Sequence, residues 1–168
     1  MSRLFAIDNV NDSDDWYTPA WIFDGLGITF DLDVAAPDGG AVNVPAARWF
    51  TVADDGLLQP WDGVVWCNPP YSDPAPWCRR WALHPDGCIL IRADLSTSGP
   101  FAAWSAANAA WVPPKRLQFD SGSGRSSGAV NFSTVMLGRG AVCVAAMQRL
   151  ANKYGGTTRT LTHERPAA

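Results

Sequence analysis

With 168 residues, 47% of them hydrophobic, and a net charge of -3, the chain is long enough for one domain with its own core and needs no staples. Four cysteines and two histidines without ligand spacing argue against a disulfide framework and a zinc site. The lack of a signal pattern or a long apolar span argues against a secreted or membrane protein and for a soluble, cytoplasmic one, with its cysteines reduced.

The charge is unevenly placed. Residues 1–62 hold eleven acids and two bases, residues 63–168 eleven bases and five acids. Either a polyanion partner for the basic half or a polarised solvated surface produces that pattern. Nine tryptophans are many for this length, and some are expected to line a site.

Residues 1–14 are polar and acidic without periodicity and read as loose. Trp16-Tyr17-Thr18-Pro19 follows, with Thr18 placed to cap a helix whose first residue is Pro19. That helix runs through Trp21, Ile22 and Phe23 and stops near Gly25 or Gly27. Ile28 to Val34 alternates and reads as a strand, ending in the small-residue turn Ala35-Ala36-Pro37-Asp38-Gly39-Gly40. An acid at a strand end, here Asp33, followed by small residues suits a nucleoside-bearing cofactor. The carboxylate accepts from a ribose hydroxyl or pairs with a cationic group, and Ala35 lets the backbone come close. There is no G-x-G-x-x-G, so a dinucleotide fold is not supported. Residues 41–60 read as irregular. Asp54-Asp55-Gly56-Leu57 is either a plain Asp-Gly turn or a turn carrying a second cofactor contact at Asp55.

Val64 to Cys67 is a short apolar run between turn residues, the pattern of a buried strand of a parallel sheet. Asn68-Pro69-Pro70-Tyr71 falls at its C-terminal end, the edge where open α/β sheets bind ligands. A conjugated amino group is a poor nucleophile because its lone pair is delocalised. Two acceptors on its two N–H bonds favour the pyramidal form and free the lone pair. Asn68 offers a side-chain carbonyl and Pro69 a backbone carbonyl. The prolines stiffen the segment, and Tyr71 offers a flat face for a base. The plainer alternative is a Pro-Pro turn ending a strand.

Beyond Tyr71, Asp73 is placed to cap a helix starting at Pro74, with Trp77 and Trp81 on one face and Arg79 and Arg80 off it. Gly87 to Ile91 reads as the next buried strand, Phe101 to Ala107 as a helix, and Ala110 to Val112 as a short strand. Lys115 to Phe119 and Ala129 to Leu137 are two further strand candidates. They flank a flexible Ser/Gly loop, 121–128, that carries Arg125. The domain is expected to span 1–154, with 155–168 as a flexible tail.

Asp15-Trp16 with Thr18-Pro19, Asp31-Leu32-Asp33-Val34-Ala35-Ala36, Asp55-Gly56-Leu57, Trp61, Asn68-Pro69-Pro70-Tyr71 with Trp77, and Arg116-Leu117-Gln118-Phe119 stand in an order that resembles the phage-type DNA N-6-adenine methyltransferase (Dam-like) family. The likeness runs from about Asp15 to Gly138. It implies a single-domain, Rossmann-like α/β fold, mostly parallel in its sheet, with helices on both faces. It also implies S-adenosylmethionine (SAM) as cofactor, DNA as partner, no metal, and methyl transfer to a flipped-out adenine N6. Asn68, Pro69, Pro70 and Tyr71 match the catalytic motif. Trp16, Thr18, Pro19, Asp33, Ala35 and Asp55 match the cofactor side. The DNA-contact candidates are Arg79, Arg80, Lys115, Arg116 and Arg125. One departure stands out: Arg92-Ala93 follows the strand where such families tend to have proline. Two rival readings remain: a methyltransferase with the same motif acting on RNA or protein glutamine, and an inactive SAM-fold module that binds nucleic acid.

Overall fold

The computed structural model of the chain describes residues 16–121 and 132–162. Residues 1–15, most of the Ser/Gly loop with Arg125, and the last six residues lie outside that range.

The elements follow in the order β1 (Trp16–Tyr17), α1 (Ala20–Leu26), β2 (Leu32–Asp33), a 3₁₀ turn (Val52–Asp54), β3 (Val65–Cys67), α2 (Ala75–Leu83), β4 (Gly87–Arg92), α3 (Ser98–Ala106), β5 (Ala109–Val112), β6 (Asp120–Ser121), β7 (Thr134–Arg139), α4 (Gly140–Tyr154) and β8 (Thr157–Thr160). Six strands form one sheet in the order β2-β3-β4-β7-β5-β8, and β1 pairs with β6 apart from it. The apolar run at β3 is buried along its whole length and runs parallel to β2 on one side and β4 on the other. An inner strand of a parallel ladder must be apolar on both faces, which is why its sequence does not alternate.

The mostly parallel sheet expected from the sequence is corrected to a mixed one. β7 is antiparallel to both β4 and β5, and β8 is antiparallel to β5. A parallel return needs a crossover, usually helical. Among the described residues between Val112 and Thr134 there is no helix, so β7 comes back against β5. From β7 the chain crosses through α4 to β8, which joins the far edge of the sheet. The stretch expected as a tail from residue 155 therefore holds a paired edge strand.

Helices cover both faces, as expected. On one face α1 and α4 bury Ile22, Phe23, Leu26, Ala146, Met147 and Leu150 together with Trp66 and Trp111. On the other, α2 and α3 bury Cys78, Trp81 and Ala103 against Val65, Ile89 and Ile91. All four cysteines are buried and free. No helix among the described residues is long and apolar enough to cross a membrane.

The helix starts differ from the sequence reading. Pro19, not Thr18, occupies the cap position of α1, and no side chain caps it. Asp73 likewise does not cap α2, which begins after Pro74. Gly27 closes α1 in the left-handed conformation, a geometry that costs glycine little. The strand expected from Ile28 to Val34 shortens to two ladder residues, because bridges Phe30↔Ala46 and Asp33↔Trp49 engage the segment read as irregular. Lys115 to Phe119 is not a strand: Leu117 and Phe119 are buried, while Lys115 and Arg116 are exposed in the connection before β6.

Two contacts hold the approach to the sheet edge. The Asp31 carboxylate accepts the Val64 N–H at 2.7 Å, and Gly63, at φ 67°, packs so closely that an added Cβ would lie 2.2 Å from Asp31 Oδ2. Arg80 donates to the Leu57 and Gln59 carbonyls and lies over the Trp61 ring at 4.9 Å. It ties the 57–61 loop to α2. Gly63→Ala is expected to lower stability by about 1 kcal/mol or more, from the strained φ and the clash together, read as a lower midpoint in urea. Arg80→Ala is expected to speed limited proteolysis within residues 55–61 while the rest of the chain stays protected; equal cleavage of both proteins would count against that tie.

Candidate active site

The parallel pairing of β2 with β3 sets the site. The register puts Asp33 opposite Trp66, so both strands end at the same edge and Asn68 follows two residues beyond. A cavity of about 380 Å³ opens there, within the roughly 300–1,000 Å³ of small-molecule sites. Of the residues expected on the cofactor side, Trp16, Thr18, Asp33, Ala35 and Asp55 line it, and Asn68 and Pro70 line it too. Pro19 does not: it is buried at the start of α1. Pro69 is buried and also stands outside the lining.

Asn68 is anchored by its amide. Nδ2 donates to the Trp16 carbonyl at 2.9 Å. A carbonyl takes only a donor, so this bond fixes which way the amide points. Oδ1 is left buried, with no hydrogen-bond partner among the described residues, and so is Thr18 Oγ1. A buried polar atom without a partner costs about 1–3 kcal/mol. Two of them lining one cavity mark places where a ligand would donate or accept.

Asp33 is 2% exposed. Both its backbone groups are held by the 48–50 segment, N–H to Arg48 O and carbonyl to Phe50 N–H, each at 2.9 Å. Among the described residues, its carboxylate accepts only the Ala35 N–H, at 3.2 Å. Burial pushes its pKa up to about 7, and the Ala35 N–H pulls the other way. Asp55 is exposed and sits at φ 52°, just after the 3₁₀ turn. A non-glycine residue there stores strain. Gly56 beside it leaves no room for a side chain, since a Cβ would lie 2.1 Å from Val34 O. Trp61 Nε1 donates to Gly56 O at 2.8 Å, and its ring stacks on Trp77 at 6.3 Å between centroids. Tyr17, Trp66 and Trp77 complete an aromatic wall. The sequence pattern had set Trp77 beside Trp81 on one helix face, but only Trp81 is fully buried. Trp77 comes one turn earlier, where α2 reaches the cavity.

Tyr71 departs furthest from expectation. Only 9% exposed, it packs edge-on against Phe119 at 6.1 Å and Phe132 at 5.0 Å. Its hydroxyl is buried without a partner among the described residues, and burial drives its pKa well up. Its ring is thus part of the core and not a free platform. Tyr71 lines a second cavity, about 780 Å³, together with Arg92, Ser98 and Phe132. Pro70 borders the first cavity and Tyr71 the second, so the four-residue stretch separates the two.

Of the expected DNA contacts, Arg79 is exposed on α2 and donates to Ser98 Oγ at 3.4 Å, and Lys115 and Arg116 are exposed. Arg80 is corrected: its guanidinium is committed to the 57–61 loop. Arg125 lies outside the described residues. Among the described residues no three His, Cys, Asp or Glu side chains gather as a metal-ligand group.

The geometry agrees with similarity in sequence. The family model described as DNA N-6-adenine-methyltransferase (Dam) matches residues 7–140. A DNA N-6-adenine-methyltransferase of Haemophilus phage HP1 is 36% identical over 75 residues, which is 42% of this chain and 42% of that relative. The matched part is thus less than half the relative's length. No solved structure matches. The family model covers Trp16, both strand ends and the whole Asn68–Tyr71 stretch, and the chain belongs to the DNA N-6-adenine-methyltransferase (Dam) family.

Proposed function

We propose that this chain transfers a methyl group from SAM to the N6 amino group of an adenine in DNA. The observation that carries the reading is the Asn68 side chain: its amide donates to Trp16, and its buried acceptor at the sheet edge has no partner among the described residues. An inactive module has no need of such an acceptor, which costs stability. Family membership supports DNA adenine over RNA or a glutamine amide as the acceptor.

The first cavity suits SAM on its donor set. Asp33 offers a carboxylate for hydroxyls or positive charge, Thr18 an unpartnered hydroxyl, Ala35 and Gly56 close backbone approach, and Trp16, Tyr17 and Trp77 flat apolar faces. When bound there, SAM supplies a methyl group on a positively charged sulfur. The chain's own part is positioning. Asn68 Oδ1 and the Pro69 carbonyl accept from the N6 protons and draw the nitrogen lone pair out of conjugation. Asn68 is neutral and takes no proton, so the proton leaves to water. Extruding the base from a duplex costs a few kcal/mol, which binding in the cavity beside Tyr71 offsets. Much of the rate comes from holding the reacting groups in line.

Asn68→Ala is expected to keep the fold and SAM binding and to lower methyl transfer to adenine-containing DNA about a hundredfold or more. Asn68→Asp keeps an acceptor but cannot donate to Trp16, so its activity should fall between the two. An alanine variant that methylates at the wild-type rate would make the stretch a structural turn. Because Tyr71 is in the core, Tyr71→Ala should cost about 3–5 kcal/mol of stability, read in urea, as well as activity.

Asp33 predicts a pH dependence. Its folded pKa of about 7 lies above the roughly 3.9 of an exposed aspartate. Its protonated form therefore favours the folded state: that stability is full below about pH 4 and is lost as pH rises through about 7. A cationic or hydroxyl-bearing ligand favours the ionised form. SAM affinity measured by calorimetry should therefore climb as pH rises toward about 7 and level off above it. Asp33→Asn should bind more weakly at high pH and lose the dependence; a wild-type profile flat from pH 5.5 to 8.5 would refute the contact.

A further inference from the structure

The second cavity holds a cation that the expected DNA contacts did not include. Arg92 ends β4 and is exposed. Its guanidinium lies 4.2 Å from the centroid of the Phe132 ring. Among the described residues it has no hydrogen-bond partner, so its N–H edge is free while its face is held. A guanidinium stacked on an aromatic ring loses little freedom when its edge takes up an anion. Phe132 in turn packs on Tyr71, which links the cation to the Asn68–Tyr71 stretch through one ring.

Three further features of that cavity bear on an anion. α3 begins there, with Thr97, Ser98 and Gly99 in the lining. No side chain caps its N-terminus, so its first N–H groups stay open to a ligand. Arg79 reaches Ser98 at the same rim. Tyr71, 9% exposed, is in the lining, and its hydroxyl is buried without a partner among the described residues. The acid in the lining, Asp94, accepts from Ser96 Oγ at 2.6 Å and Ser96 N–H at 3.3 Å, and these bonds first, with the nearby Arg92 charge as a lesser cause, hold its carboxyl below the usual range.

We infer that Arg92, stacked on Phe132, holds a phosphate of the acceptor DNA strand in the second cavity, with the start of α3 and Arg79 beside it, while the base sits toward Asn68. This deepens the DNA-methyltransferase reading and rests on it. A phosphate contact carries no sequence information but fixes the position of the nucleotide along the strand. Arg92 is thus a positioning residue, and its effect should fall on DNA affinity and not on SAM.

The test is DNA binding by the full chain, followed by fluorescence anisotropy with adenine-containing single-stranded and duplex oligonucleotides from 50 to 200 mM salt. Each phosphate neutralised contributes about 0.9 to the slope of log affinity against log salt for duplex and about 0.7 for single strands. Arg92→Gln should lower the slope by about one such step and raise KM for DNA about tenfold, with SAM affinity unchanged. Arg92→Lys should keep the slope and lose only part of the affinity, because the charge stays and the stacked fork goes. Arg159→Gln, at an exposed position on the distant edge strand β8, is the control for general charge and should keep the wild-type slope. An Arg92→Gln slope equal to wild type, or an equal loss in Arg159→Gln, overturns the inference and leaves the enzyme reading standing. A wild-type protein with no salt-dependent DNA binding would remove the DNA reading and this inference with it.

Discussion

The parallel register of β2 against β3 is the constraint on which the site depends. Because Asp33 pairs opposite Trp66, the two strands end together, and the acid of one faces the cavity that the asparagine of the next borders. A slip of one residue would turn every side chain of β2 to the other face of the sheet. Asp33 would then point into a helix layer and leave the edge. The register is held from outside as well. The Asp31 carboxylate takes the Val64 N–H, and the 44–50 segment bridges to Phe30 and Asp33 on the opposite side. β2 has only two ladder residues of its own, so these flanking contacts supply the fixation that a longer strand would give.

The cavity end of this arrangement gathers several poorly satisfied groups in one place. Among the described residues, the buried Asp33 carboxylate accepts one hydrogen bond, and Thr18 and Asn68 each leave a buried oxygen without a partner. Asp55 holds a backbone conformation unfavourable for its side chain. Each costs the folded protein stability, and all four line one cavity. Unsatisfied and strained groups gathered at one place are the mark of a site built for a ligand. Rigid neighbours make them tolerable: the Trp61–Trp77 stack, Arg80 on the 57–61 loop, and the Trp16 carbonyl on Asn68.

On the proposed reading, the two cavities would divide the labour of a two-substrate reaction. Asn68 and Pro70 face the first and Tyr71 the second, so four consecutive residues separate a compartment suited to a nucleoside-bearing cofactor from one suited to the acceptor. Two prolines in that stretch limit its backbone freedom. The wall between the compartments is thereby stiff, which a reaction needing two groups in line requires. The polarised charge of the sequence finds a partial place here, since Arg79 and Arg92 both stand at the second cavity.

The amino-acid sequence alone determined the family, the central apolar strand, the position of Asn68 at its end, the acid at the end of β2 and helices on both faces. These are local facts: strand runs, turn residues and motif order depend on neighbours a few positions away. Only the tertiary structure decided what depends on long-range partners. β7 returns antiparallel, with no helix among the described residues of its connection to carry the chain across, and β8 forms because β5 offers an open edge at residues expected to be a tail. Thr18 leaves its expected cap and lines the cavity, its buried hydroxyl without a partner among the described residues. Arg80 is drawn onto carbonyls more than twenty residues away, and Tyr71 is enclosed by Phe119 and Phe132 from a distant part of the chain. Charge and aromaticity can be read from one residue, but whether a charge stays free or a ring stays open is settled by what the folded chain packs against it.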